Sequence, residues 1–361
     1  MFLRIAVLTN AYPPRDVGGA ARIAAQQVEM LCAAGHVVRV WSPEVPWFRA
    51  DAMTRFFCHL EDLGSRPELV QEILAWQPDI LITHNLTGCG FGTPKAIKKT
   101  GVRWIHILHD IQLFEPSGQL FRLRPVTFWQ LFWAALRSIA FGRPHFVISP
   151  TLWLVEQHRW RSLLKSSSIH SEILPNPGPR EAGLLRTEFH KPRVRLLFVG
   201  HVSHAKGSKL LEAIIDELRI PFELHIVGEG PDLARLARHS SHVIVHGACE
   251  TAEVLAHMRE ADILLVPSLI HENQPTVILE AASVGLPVIA AHRGGIIETL
   301  GMAAARMVCD PTHVQAWCLA IQRLEDPKTY AHQSHLMRHI AEAHDPEAYA
   351  QRFLSLLTSN R

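Results

Sequence analysis

The sequence predicts an α/β protein built from two doubly wound, parallel-sheet domains. Three observations carry this. Short β-branched runs alternate with amphipathic helical windows from end to end, as in a parallel sheet covered by helices on both faces. The alternation restarts after residue 193. Between the two runs lies PNPGPREAGLLRTEFHKP at 175–192, rich in proline, glycine and charge as a linker should be. A chain of 361 residues is also too long for one ordinary core.

In the first half, strands are expected over residues 3–9, 37–42, 80–84, 104–108 and 146–148, with helices near 20–34, 68–76, 94–100 and 125–142. The opening MFLRIAVLTNAYPP has an apolar run that ends at Asn10 and two prolines, without a small-residue cleavage site. It reads as a first strand rather than a signal peptide. In the second half, strands are expected over 196–199, 223–227, 243–245, 263–266 and 288–290, each followed by a helical segment opening near Gly or Pro. Helical windows start at Pro327 and Pro346. The expected division is 1–180 for a first Rossmann-like domain, 193–335 for a second, and 336–361 for a closing helix.

Composition limits the function classes. Hydrophobic residues make up 48% and charged residues 19%, which supports packed cores and argues against long disordered stretches. A formal net charge of +2 names no partner, and no nucleic-acid partner is expected. The 23 histidines make the surface more cationic as pH falls through about 6.5. Six scattered cysteines lack CxxC pairs and read as reduced, buried thiols of a cytoplasmic protein. No stretch reaches the roughly 18 to 20 apolar residues that spanning a bilayer needs.

Ligands of doubly wound sheets bind at the carboxyl ends of the strands, so the informative segments are those just after strands. PSLIHENQPTVILEAASVGLPVIA follows the strand at 263–266. Glu272 and Glu280 are separated by seven residues, and Pro275 stands where a helix would begin. The N–H groups of that helix start, together with its macrodipole, favour a bound diphosphate. One carboxylate can then reach a sugar hydroxyl and the other a ribose. The bland alternative is a structural Glu280 inside the helix and an exposed loop carboxylate at Glu272. Gly228 and Gly230 are too few for a dinucleotide fingerprint, so no NAD site is expected.

This segment, with Gly285-Leu286-Pro287-Val288 after it, resembles the Glu-x7-Glu signature of retaining glycosyltransferase family 4. AYPPRDVGGAARIAAQQVEMLCAAGHVVRVWSP resembles the family's opening unit, with Gly18 and Gly19 between the first strand and helix. LLFVGHVSHAKGSKLLEAI is similar to the strand, loop and helix whose basic pair grips the diphosphate, with Lys206 matching its lysine. His201 stands where the family usually has arginine, an imidazole in place of a guanidinium fork. Arg293 or Arg15 could substitute. Gly294, Gly295 and Glu298 repeat the family's GGxxE turn, and His109-Asp110 resembles the His-Asp placed under the donor sugar.

The resemblance implies the GT-B fold: two Rossmann-like domains facing a central cleft, with the C-terminal helix crossing back to the first. It implies a retaining hexosyltransferase that uses a nucleotide-diphosphate sugar and a saccharide or lipid-linked acceptor, in polysaccharide or glycolipid assembly. His109, Lys206 and Glu272 would be catalytic. Gly18, Gly19, His201, Asn273, Gln274, Pro275, Thr276, Val277 and Glu280 would bind the donor. No DxD-like cluster accompanies these motifs, so no cofactor and no strictly required divalent metal are expected. A non-catalytic nucleotide-sugar-binding or supporting subunit is the rival reading, motivated by His201.

Residues 121–142 interleave arginines with Phe121, Phe128, Trp129, Phe132, Trp133 and Phe141. This pattern fits either a helix packed on the first sheet, its arginine stems covering the rim, or a helix lying at an anionic membrane surface. The second version places the protein peripherally at the inner membrane face.

Overall fold

The computed structural model describes residues 2–16, 18–45, 50–123, 125–161, 163–164, 169–180, 186 and 192–358. Most of the expected linker, 181–185 and 187–191, lies outside the described residues. The chain forms two compact units, Met1–Pro175 with Tyr349–Arg361, and Asn176–Ala348.

The first unit contains β1 (Arg4–Leu8), α1 (Gly19–Ala33), β2 (Val37–Trp41), α2 (Ala52–Glu61), α3 (Pro67–Ala75) and β3 (Ile80–Thr83). It continues with α4 (Thr93–Lys98), β4 (Arg103–Ile107), α5 (Phe128–Phe141), β5 (Phe146–Ser149), α6 (Leu152–Trp160) and β6 (His170–Ile173). All strands pair in parallel, in the order β2-β1-β3-β4-β5-β6. β3 and β5 are buried at every position because helices cover both sheet faces. α2, α6 and β6 were not anticipated. β6 reads HSEI and lies at the sheet edge with no buried position, so it lacks the apolar run that marks an inner strand.

Caps explain where α5 departs from its expected span. The Thr127 hydroxyl accepts from the Gln130 N–H at 3.2 Å, so the helix starts after it rather than at Pro125. Gly142, at φ 77°, ends it. The Asp51 carboxylate starts α2 in the same way, accepting from the Met53 and Thr54 N–H groups.

The second unit contains β7 (Val194–Val199), α7 (Ser208–Glu217), β8 (Phe222–Val227), α8 (Leu233–His239), β9 (Val243–Gly247) and α9 (Thr251–Glu260). After these come β10 (Ile263–Val266), α10 (Thr276–Ser283), β11 (Val288–Ala291), α11 (Ile296–Leu300), α12 (Ala304–Met307) and β12 (Val308–Cys309). The chain ends with α13 (Val314–Arg323), α14 (Pro327–Ala343) and α15 (Pro346–Thr358). The parallel sheet runs β12-β11-β10-β7-β8-β9, so strand order reverses direction between β7 and β10. Ligands of doubly wound sheets bind at such a reversal.

α14 does not leave the second unit at 336 as expected. Its Met337 and Ile340 are buried with Leu279 and Ala282 of α10, and the return to the first unit begins at Tyr349. From there Tyr349, Phe353, Leu356 and Leu357 of α15 join Ile5, Val7 and Ile82 in the first sheet's core. The Gln27 amide donates to the Tyr349 hydroxyl at 2.6 Å. None of the six cysteines is in a disulfide, but only Cys89, Cys309 and Cys318 are buried; Cys58 and Cys249 are partly exposed and Cys32 is exposed.

The first unit buries an unusual number of imidazoles. Burial lowers His106 to about 3 and His59, His109 and His158 to about 4, and it also depresses His84. Such groups are neutral when folded, while the unfolded chain takes up protons below about 6.5. Their stabilisation is therefore full above about 6.5 and is lost as pH falls toward 4. Asp110, raised to about 6 chiefly by burial, and Asp62, also raised by burial, act in the opposite direction, but they are two groups against five. Thermal unfolding of the chain is expected to shift several degrees lower between pH 7 and pH 5. A melting temperature that is flat or rising over that interval would contradict this account.

Candidate functional site

In the second unit, the two strands flanking the reversal each deliver one charged side chain. After β7 the chain makes a single 3₁₀ turn, His204–Lys206, ending at Gly207 where α7 begins. After β10 comes the loop carrying Glu272, with the Leu269 N–H donating to the Ala205 carbonyl at 2.9 Å, which ties the two loops together. Lys206 Nζ donates to Glu272 Oε1 at 2.5 Å, and Ser268 Oγ donates to the same oxygen at 2.7 Å. The lysine is about a third exposed and the glutamate less so, which leaves one edge of the pair open to a ligand. An ammonium carries three protons, and Glu272 takes one.

Gly207 permits this arrangement. Its φ is 86°, and a Cβ there would sit 2.0 Å from the Pro267 carbonyl oxygen. The Glu272 loop is held from its other side by the Gly294-Gly295 turn, where the Gly295 N–H donates to the Glu272 carbonyl at 2.9 Å. The Gly294 N–H donates to His271 Nδ1 at 2.9 Å, so that nitrogen carries a lone pair and the ring is neutral. Burial, helped by Arg293 and His292, lowers His271 to about 4, in keeping with that state.

Other expected residues fall in different places. α10 starts at Thr276, with Pro275 as its N-cap at φ −63° and ψ 117°, not as the first helical residue. That extended ψ keeps Pro275 outside the helix. Asn273, Thr276 and Val277 are partly exposed at this helix start, and Glu280 is buried farther along α10. Gln274 turns inward instead: its Oε1 accepts from the Asn176 N–H at 2.6 Å and its Nε2 lies 3.2 Å from His344. Its role is to tie the start of the second unit to α14. His201 is exposed between Gly200 and the buried Val202. Arg15 is committed elsewhere, donating to the Ser42 hydroxyl at 2.7 Å and to the carbonyls of Ser42 and Pro43.

In the first unit, strand order reverses between β1 and β3, and the ends of β3 and β4 carry a ladder of paired polar side chains. His84 Nδ1 lies 2.8 Å from His109 Nε2 with the rings stacked at 5.1 Å. One residue on, the Asn85 amide donates to Asp110 at 2.9 Å. The register that sets Thr83 opposite His106 brings these successive pairs together. They line a small cavity with Phe91, His106 and Gln112. Gly18 caps α1, its N–H bonded to Asp16 at 2.8 Å, and Gly19 opens the helix.

Sequence reasoning missed His84, Asn85, Ser268 and His271. Each directly follows a strand end or adjoins Glu272, and that position was the available signal. His84→Ala removes a buried ring and its 2.8 Å contact with His109, and about 1–3 kcal/mol of stability should be lost. Denaturant unfolding of the variant reads this, and an unchanged midpoint would show the pair to be idle.

The family model for glycosyltransferase family 4 matches residues 17–171, and that for the glycosyl transferases of group 1 matches residues 193–326. The chain belongs to this glycosyltransferase family. Among curated relatives of the family 4 chain, the glycogen synthase of Mycobacterium tuberculosis is 26% identical over 90% of this chain and 87% of its own length. The 2-deoxystreptamine glucosyltransferase of Streptomyces kanamyceticus is 29% identical over 41% of this chain and 42% of its own. The sulfoquinovosyl transferase of Arabidopsis thaliana is 36% identical over 66% of this chain and 47% of its own. The chain thus matches less than half the length of two of these three relatives. Of solved structures, sucrose-phosphate synthase from Thermosynechococcus elongatus superposes with a TM-score of 0.76 at 20% identity, covering 98% of both chains. Anabaena HepE in complex with UDP and glucose gives 0.71 at 16% identity, covering 99% of both. These likenesses carry the GT-B fold.

Proposed function

We propose that this chain transfers a hexose or related sugar from a nucleoside-diphosphate sugar to a saccharide or lipid-linked acceptor, with retention at the anomeric carbon. The Lys206–Glu272 pair at the strand-order reversal of the second unit carries the reading. The names of the relatives, among them a glucosyltransferase and a glycogen synthase, favour it as well.

In this reading the diphosphate sits against the start of α10, beside the backbone N–H groups of Thr276 and Val277. Lys206 donates to the leaving phosphate while holding Glu272. Glu272 accepts from a sugar hydroxyl and the buried Glu280 serves the ribose. The bond from the anomeric carbon to the phosphate oxygen breaks, and a bond to the acceptor oxygen forms on the same face. The acceptor's proton passes to the departing phosphate oxygen. No side chain becomes a nucleophile, so rate comes from placement and from stabilising charge on the diphosphate. Lys206 supplies that charge, and the protein should retain activity in excess chelator.

A screen of uridine, guanosine and adenosine diphosphate sugars for thermal stabilisation finds the donor, since saturation at about 100 times Kd adds about 2.7 kcal/mol. The chosen donor is then incubated with the protein. Release of nucleoside diphosphate supports transfer. Binding without release across many acceptors would favour the non-catalytic reading that the exposed His201 motivates.

A further inference from the structure

α5 inverts the usual pattern of a surface helix. Its polar residues Gln130 and Arg137 are buried, and Arg137 lies over the Phe91 ring at 4.6 Å with an Nη 3.2 Å from His59 Nδ1. Its outward positions are apolar: Phe128 is 82% exposed and Ile139 73%, with Trp129 and Leu131 near half. No exposed position of the helix carries a charge. A helix in contact with water should show the reverse. The face is continued by α2, where Phe56 stacks on Trp129 at 5.9 Å and Met53 and Phe57 are exposed.

Charge around this face is predominantly positive. The 40 residues 116–155 hold no Asp or Glu, but do hold four arginines. Of these, Arg143 is exposed just after α5 and Arg122 is exposed six residues before it; Arg55 is exposed on α2. Lys95 donates to the Ile139 carbonyl at 2.9 Å and Lys98 to that of Arg143 at 2.7 Å, adding two ammonium groups at the C-terminal end. The nearby acids are Asp51 and Glu61, at the ends of α2, and Glu115, which accepts from Ser117.

We propose that the outer face of α5, with Met53 and Phe57, docks on the surface of a bilayer carrying anionic headgroups. Exposed aromatics rimmed by cations suit the boundary between headgroups and acyl chains. None of the described helices is long and apolar enough to cross a membrane, so the contact is with the surface. A second copy of the chain fits less well. The 14 residues of α5 and the 10 of α2 together present a strip about 36 Å long and 10 Å wide, on the order of 360 Å², against about 800 Å² per partner in a stable complex. This inference goes beyond the sugar-transfer reading and does not depend on it.

Flotation of the full chain with vesicles tests it, comparing phosphatidylcholine alone with a mixture containing phosphatidylglycerol. The wild type should float with the anionic vesicles and at least about tenfold less with the neutral ones. The double variant Phe128→Asp, Ile139→Asp should lose at least about tenfold of that binding, with unchanged circular dichroism because both side chains are exposed. Equal flotation of variant and wild type would overturn the proposal. So would a wild type that ignores anionic vesicles, and a dimer in sedimentation equilibrium that the same variant breaks would then assign the face to a second copy.

Discussion

Lys206→Ala is expected to lower turnover by about 100- to 1,000-fold, as removal of a donor aimed at developing charge typically does. The expectation rests on placement. Lys206 leaves a 3₁₀ turn at the mouth of α7 and meets Glu272 at 2.5 Å, with about a third of its side chain still exposed. The same substitution should hardly change stability, because a partly exposed ion pair contributes about 0–1 kcal/mol. A large loss of turnover with an unchanged melting temperature is therefore the signature sought. Lys206→Arg keeps the charge but changes its shape, and should recover part of the rate. If the alanine variant turns over donor at the wild-type rate, Lys206 does not serve the leaving group.

Gly294→Ala should be costly in both respects. Gly294 has φ 62°, and a Cβ there would lie 2.0 Å from the Glu272 carbonyl oxygen and 3.0 Å from its nitrogen. Both contacts are with backbone, so rotating a side chain relieves neither, and the Glu272 loop must move. Displacing a site loop by about 1 Å can cost about 100-fold in rate. Overpacking of this kind costs about 1–3 kcal/mol, or several degrees of melting temperature in a domain of this size. Initial rates and thermal unfolding on one preparation check both. A variant with wild-type turnover would mean that the position of Glu272 is not set by this turn.

The two units differ in how much of the site local sequence revealed. Lys206 and Glu272 were legible because each follows a strand that reads unmistakably as one, and Pro275 marks a helix start nearby. That they bond to each other was not legible. They are 66 residues apart, and the contact exists only because β7 and β10 are neighbours in the sheet. Gln274 lies in the same motif, yet it faces Asn176, because a loop without regular φ and ψ has no periodicity from which to read direction. The pairing of His84 with His109 likewise depends on the register of β3 against β4.

By itself the sequence determined the class of fold, ten of the twelve strands among the described residues, the restart after 193, and the motifs that mark the family. The first three follow from local alternation of apolar and polar residues and from punctuation by Gly and Pro, and the motifs from the resemblance of their residues to those of the family. Tertiary structure alone decided the strand order, the edge strand β6, and the transfer of the chain back to the first unit at Tyr349 rather than 336. It also decided which side of α5 faces outward. The physical reason is common to these. Periodicity tells a segment what shape to take, but the neighbour it packs against is chosen by burial summed over the whole domain. For α5 that sum put an arginine inside and a phenylalanine outside.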